Sequence, residues 1–166
     1  MMNVCFCDID GVLNFSSYGE DIYYDKFHDK EIALDQECVD NFLKLLEIFP
    51  DLKIVWSTGW RFDDNVYWNT WRNPRKYLEE TYPILKSRVI GKTPRKMSSE
   101  RFHEIKWWLD RHSNEILNYV ILDDIKFPNP WFGIERHCVE CKYDHGFDNE
   151  ALKKAIEILN TPELYG

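Results

Sequence analysis

The sequence contains no apolar run of 18 residues, so no segment reads as a membrane span. No basic leader followed by an apolar stretch opens it, and Asn3 to Phe6 is too short for a signal h-region. Its five cysteines (Cys5, Cys7, Cys38, Cys138 and Cys141) are odd in number and form no dense framework. That excludes a disulfide scaffold and points to reduced thiols and a cytoplasmic location. Cys138 and Cys141 make one C-x-x-C, with His137 and His145 nearby but no second cysteine pair. Zinc ordinarily takes four ligands, so buried or incidental thiols are the better reading. Positive charge is also short. A formal net charge of -8 means that the surface as a whole repels nucleic acid and anionic membrane, although a local basic patch can outweigh the global sign. There is no internal repeat, linker or low-complexity segment.

What is present is an ordinary globular mixture, 44% hydrophobic and 30% charged, in 166 residues. That length suits one domain, residues 1–166. Short apolar runs alternate with segments of helical period. Val4 to Cys7, Leu52 to Trp56, Arg88 to Ile90, Tyr119 to Leu122 and the HCVEC stretch read as strands. A helix is expected from Gln36, with Val39, Phe42, Leu43 and Leu46 on its inner face and Pro50 at its end. PRKYLEETY, opened by Pro74, is a second. MSSERFHEIKWWLDRH is a third, with Ser98 or Ser99 as cap and Phe102, Ile105 and Leu109 as stripe. NEALKKAIEIL, with Leu152, Ala155, Ile156 and Leu159 on one side, is the last. Fully apolar strands alternating with helices imply an α/β fold with a mainly parallel sheet covered on both faces.

In such sheets ligands bind beyond the carboxyl ends of the strands. The first strand ends in Asp8-Ile9-Asp10-Gly11, the second in Ser57-Thr58-Gly59, and the strand after the long helix in Asp123-Asp124. A parallel sheet would bring these three to one edge. Four carboxylates there repel one another, and a divalent cation offsets the repulsion. An all-oxygen set suits magnesium, which typically sits beside a substrate phosphate. One strand-end aspartate is readily explained as a turn or helix cap; two acidic strand ends joined by a hydroxyl-rich third are not.

DIDGVLN, a strand-end serine, an upstream basic residue and YVILDD together resemble the haloacid dehalogenase (HAD) superfamily. STGWR, GKTP, RFHEIKWWL and GFDNEALKKAIEIL look more narrowly like the HAD domain of Swiss Army Knife RNA repair proteins, over nearly the whole chain. The resemblance implies a three-layer Rossmann-like fold and a magnesium-dependent phosphatase acting through an aspartyl-phosphate. Asp8 matches the nucleophile, Asp10 the general acid and base, and Ser57 the hydroxyl that binds the transferring phosphoryl group. Asp8, the backbone carbonyl of Asp10, and Asp123 or Asp124 match the magnesium shell. The superfamily also places a lysine or arginine before the DD strand. Arg101 is the first choice, with Lys92 and Lys96 as rivals. Gly59 departs from the family pattern, which usually has a small polar residue there.

The residues themselves agree with this chemistry. A carboxylate attacks a phosphate dianion only when aligned and relieved of repulsion, and a covalent intermediate splits one hard step into two. Gly11 lets the chain turn away with its backbone near a ligand, and Thr58 belongs to the same hydroxyl-bearing turn as Ser57. Arg61 offers a fork for phosphate or for bracing the site, with packing over tryptophans as the alternative. The two excursions, near 13–33 and 62–86, are too small for a large cap domain, which leaves the site open to a bulky substrate. Aromatic residues crowd both, able to stack on bases or simply to close a small core. KSRVIGKTPRK is locally basic and could track a phosphate backbone. The expected partner is therefore a phosphorylated small molecule or nucleic acid end, with no membrane and no obligate protein partner. The alternatives are a phosphatase of small metabolites or phosphoproteins, and a non-catalytic phosphate-binding domain.

Overall fold

The structure, a computed structural model, describes residues 1–15, 34–61, 73–94, 100–125, 133–142 and 144–161. Among them are strands β1 (Met2–Cys7), β2 (Leu52–Trp56), β3 (Val89–Lys92), β4 (Ile116–Asp123) and β5 (Cys138–Glu140). The helices are α1 (Gln36–Ile48), α2 (Pro74–Thr81), α3 (Pro83–Arg88), α4 (Arg101–Arg111) and α5 (Asn149–Leu159). The strands form one five-stranded sheet in the order β3-β2-β1-β4-β5, with every pair parallel. No helix among the described residues is long and apolar enough to cross a membrane.

Strand alternation divides the core into two layers. Successive side chains of a strand point to opposite faces. Cys5, Cys7, Ile54, Trp56, Val120 and Leu122 therefore pack with the inner faces of α1, α3 and α5. Val4, Phe6, Val55, Tyr119 and Ile121 meet Phe102, Ile105, Trp108 and Leu109 of α4 on the other side. Four helices, α1, α2, α3 and α5, on one face and α4 on the other make the three-layer arrangement. The described part of the second excursion belongs to this architecture: α2 and α3 bury Leu78 and Leu85 in the core, between β2 and β3.

Local chemistry sets most boundaries. Asp35 caps α1 by accepting the Cys38 N–H at 3.0 Å, and Asp148 caps α5 by accepting that of Ala151 at 2.9 Å. Asn73 caps α2, with Pro74 in the first turn where its missing N–H costs nothing. Pro83 opens a separate helix in the same way. That helix runs through Arg88, so β3 begins at Val89 and includes Gly91 and Lys92, later than expected from sequence. The position capping α4 is Glu100, which makes no side-chain cap bond; Ser98 and Ser99 lie outside the described residues. On α1 Leu45 is buried together with Val39, Phe42 and Leu46, whereas Leu43 is only half-buried. On α5 Ile158 is buried together with Leu152, Ala155 and Leu159, whereas Ile156 is half-buried.

Candidate active site

The sheet register fixes where the strand ends meet. Cys7 pairs with Trp56 on one side and Leu122 on the other, so Ser57 and Asp123 flank Asp8. The backbone extends these ladders by one step. Asp8 donates its N–H to Leu122 O at 3.0 Å, Ser57 to Cys7 O at 2.8 Å, and Thr93 to Trp56 O at 2.9 Å. The junction of β1 with β4 is where strand order reverses, the usual crevice of doubly wound sheets. Asp8, Ser57 and Asp123 also share the alternation parity of Phe6, Val55 and Ile121. That parity aims all three side chains toward the layer occupied by α4.

Arg101, the first residue of α4, meets them there. Its Nη1 lies 3.0 Å from Asp8 Oδ2 and 2.8 Å from Asp123 Oδ2, and it donates to Ser57 O at 2.8 Å. A cation at a helix N-terminus opposes the helix dipole, and the two carboxylates offset that cost. Burial works against its charge, but Asp8 and Asp123 outweigh burial and hold the guanidinium more firmly protonated than usual. Asp8 and Asp123 are themselves almost fully buried. Burial first, and then the facing Asp123, push Asp8 well above the ordinary carboxylate range, against the pull of Arg101. Burial likewise raises Asp123 to about 6, although Arg101 and the Ile125 N–H pull it down.

The remaining carboxylates divide by role. Carboxylate oxygens of Asp8, Asp123 and Asp124 lie within 4.8 Å of one another, a spacing that suits one cation. Buried acids forced above their normal range by desolvation and mutual repulsion are the surroundings that a hard divalent ion relieves, so the donor set fits magnesium. The Asp10 side chain stands outside this group; its Oδ1 accepts from Asn14 Nδ2 at 3.1 Å. Asp123 Oδ1 accepts the Ile125 N–H at 3.1 Å while Oδ2 faces Arg101, so both its oxygens are engaged. Asp124 sits half-buried beside Gly11. At Gly11 φ is +82°, and an added Cβ would come within 2.7 Å of the Asp124 Cβ. Only glycine fits there.

Ser57 is fully buried, and its Oγ has no hydrogen-bond partner among the described residues. A buried hydroxyl left unsatisfied costs free energy, which a ligand oxygen at this sheet edge would recover. Thr58 is buried beside it and gives its carbonyl to Arg61 Nη1 at 2.6 Å. Gly59 has open space where a Cβ would stand, so the departure from the family pattern carries no steric demand.

Arg61 turns inward. Nε donates to Thr93 O at 2.9 Å and Nη2 to Pro94 O at 3.2 Å. Nη2 also pairs with Glu104 Oε2 at 2.9 Å, both side chains being buried. Of its two expected uses, bracing is the one these contacts serve. Lys92 is exposed, with Nζ 3.4 Å from Arg61 O; Lys96 lies outside the described residues. The basic run is split between the two ends of the sheet. Arg88 donates to Phe49 O and Leu52 O at the amino end of β2, away from the site.

The HAD domain in Swiss Army Knife RNA repair proteins matches residues 4–152. The chain belongs to this HAD family. That span runs from β1 into α5 and takes in every strand end described above. Comparisons with curated proteins and with solved structures gave no match.

Asn14, Glu104 and Thr93 are site residues not assigned a role from sequence. Asn14 closes the DIDG turn, and Glu104 falls three residues after Arg101 on α4, the spacing of one helix face. Thr93 follows β3 as Ser57 follows β2. Cys138 and Cys141 lie on and just past β5, and burial pushes both thiols up.

Proposed function

We propose that this HAD domain is a magnesium-dependent phosphomonoesterase acting through an aspartyl-phosphate on a nucleotide or nucleic acid phosphate end. The observation that carries the reading is the buried meeting of Asp8, Arg101 and Asp123 beside the unsatisfied Ser57 hydroxyl. A pure binding module has no need of a buried nucleophile and a second acid two residues away.

Asp8 is the nucleophile, with Arg101 holding Oδ2 and the Ile9 N–H holding Oδ1 at 2.8 Å. Arg101 also places positive charge where the phosphoryl oxygens gather. Ser57 Oγ donates to one of those oxygens. Asp10 protonates the leaving oxygen and then takes a proton from the water that cleaves the intermediate. Asp8, the Asp10 carbonyl and Asp124 would hold magnesium, with Asp123 as the residue that Arg101 and Ile125 fix in place. When bound, magnesium lowers the repulsion between the carboxylates and an incoming phosphate dianion.

The family's description supports an RNA end as substrate, and exposed Lys92 beside the site supports contact with a backbone phosphate. The test compares turnover of 3′- and 5′-phosphorylated oligonucleotides, the matching mononucleotide and a sugar phosphate across a salt series. Preference for an oligonucleotide that fades with salt and with Lys92→Ala is expected. Better turnover of the mononucleotide would make this a nucleotidase. Preference for the sugar phosphate would remove nucleic acid from the proposal.

A further inference from the structure

Asn14 is completely buried, yet nothing in the hydrophobic core requires an amide there. Its Oδ1 accepts the Gly11 N–H at 2.8 Å, and its Nδ2 donates to Asp10 Oδ1 at 3.1 Å. The first bond settles the orientation of the amide, because a backbone N–H can only face the oxygen. The nitrogen is thereby turned toward Asp10. One side chain ties the left-handed turn at Gly11 to the carboxylate on the residue before it.

We infer that Asn14 is a positioning residue for Asp10, fixing the orientation of its carboxyl group at the Gly11 turn. This rests on the phosphatase reading of the site. With Oδ1 accepting from Asn14, the carboxyl group is held in one orientation toward the leaving group. In the first step Asp8 forms a bond to phosphorus, and the bond from phosphorus to the leaving oxygen breaks with its electron pair. That oxygen takes the proton from the Asp10 carboxyl group. In the second step water attacks phosphorus and yields a proton to the Asp10 carboxylate. The bond from Asp8 to phosphorus breaks, its electrons return to Asp8, and phosphate leaves. Asn14 touches no substrate in either step; it aims the acid.

The prediction separates aiming from mere structure, because protonation matters most for poor leaving groups. Asn14→Asp keeps an acceptor for Gly11 and removes the donor to Asp10. Asn14→Ser fits the buried position but falls short of Asp10. For either variant, kcat/KM should fall about 10- to 100-fold on a primary alkyl phosphate, part of what general acid catalysis supplies. On p-nitrophenyl phosphate, whose leaving group departs readily, it should fall less than about 3-fold. In an Asp10→Asn background, changing Asn14 should add nothing on the alkyl substrate. Equal losses on both substrates, no loss on either, or an additive loss in that background would overturn this role alone. If the wild-type chain with magnesium hydrolyses neither substrate, or Asp8→Asn hydrolyses them equally well, the phosphatase reading falls and this role with it.

Discussion

Removing the Arg61 side chain tests how the site is held together. Arg61→Ala takes away the partner of a buried Glu104 and the donor to the Thr58, Thr93 and Pro94 carbonyls. Breaking a buried ion pair from one side costs about 3–5 kcal/mol, chiefly because the other charge stays buried without compensation. In a chain of this size each kcal/mol lowers Tm by about 2–4 °C, so a drop of roughly 6–20 °C is expected. Glu104→Gln keeps an acceptor for Arg61 and should cost about 1–2 kcal/mol. The double variant should be less destabilised than the sum of the two, because it no longer buries an orphan charge. Urea unfolding of the four proteins at neutral pH gives the cycle. The brace also joins the Ser57 turn and the end of β3 to α4 within one turn of Arg101. Turnover by Arg61→Ala should therefore fall even where the variant is fully folded. Arg61→Ala within about 1 kcal/mol of wild type, or strict additivity with Glu104→Gln, would refute the reasoning.

Further outcomes follow from the same geometry. Asp8→Asn should abolish capture of labelled phosphate on the protein, and Asp10→Asn should slow turnover of an alkyl phosphate by about 100-fold or more; both are read by acid-quench trapping. Chelation should abolish hydrolysis and magnesium should restore it, whereas restoration by zinc alone would contradict an all-oxygen site. Gly11→Ala should cost about 1–2 kcal/mol from its positive φ alone. It should also weaken magnesium binding by displacing Asp124, as isothermal titration would show. Asp8 and Asp123 are raised in the fold, so the folded state keeps protons that the unfolded chain has lost. For Asp123 the window lies between the ordinary 3.8 and about 6. By linkage, stability of the metal-free protein is greatest below that window and falls as pH rises through it. Chelated protein should thus melt lower at pH 7.5 than at pH 5, and magnesium should recover the loss at pH 7.5.

The apolar runs ending in DID, ST and DD made the strands and their acidic ends readable, because a buried parallel strand has almost nothing polar until it reaches the edge. Other features were hidden by polar residues used internally. β4 begins at Ile116, before the clear run, because Asn118 is buried and satisfied by Ile158 O and the Tyr119 N–H. An asparagine with such partners looks like a loop residue in a sequence. Arg61 reads as a phosphate fork because Thr93 O, Pro94 O, Glu104 and Thr58 O reach it from the loop after β3, from α4 and from its own turn, contacts between segments that only the fold brings together. Strand parity was available all along. Counting back from Asp8, Ser57 and Asp123 in twos places each on the α4 face, which singles out Arg101 from its rivals. The two-layer partition needed for that argument became visible only with the strand order.

The central place of β1 bears on how the chain matures. Its backbone pairs with β2 on one side and with β4 on the other. During synthesis β2 follows soon after, but the partner on the other side is not complete until Asp123 has emerged. At bacterial or eukaryotic elongation speeds that interval is on the order of 10 s. Throughout it, an apolar strand presents an open hydrogen-bonding edge, the kind of surface that recruits foreign strands. The nucleophile waits at the tip of that same edge, without Arg101 docked or Asp123 beside it. Ribosome-bound chains stalled before Ile116 should therefore depend on chaperones and be inert, and both properties should change together once β4 clears the tunnel.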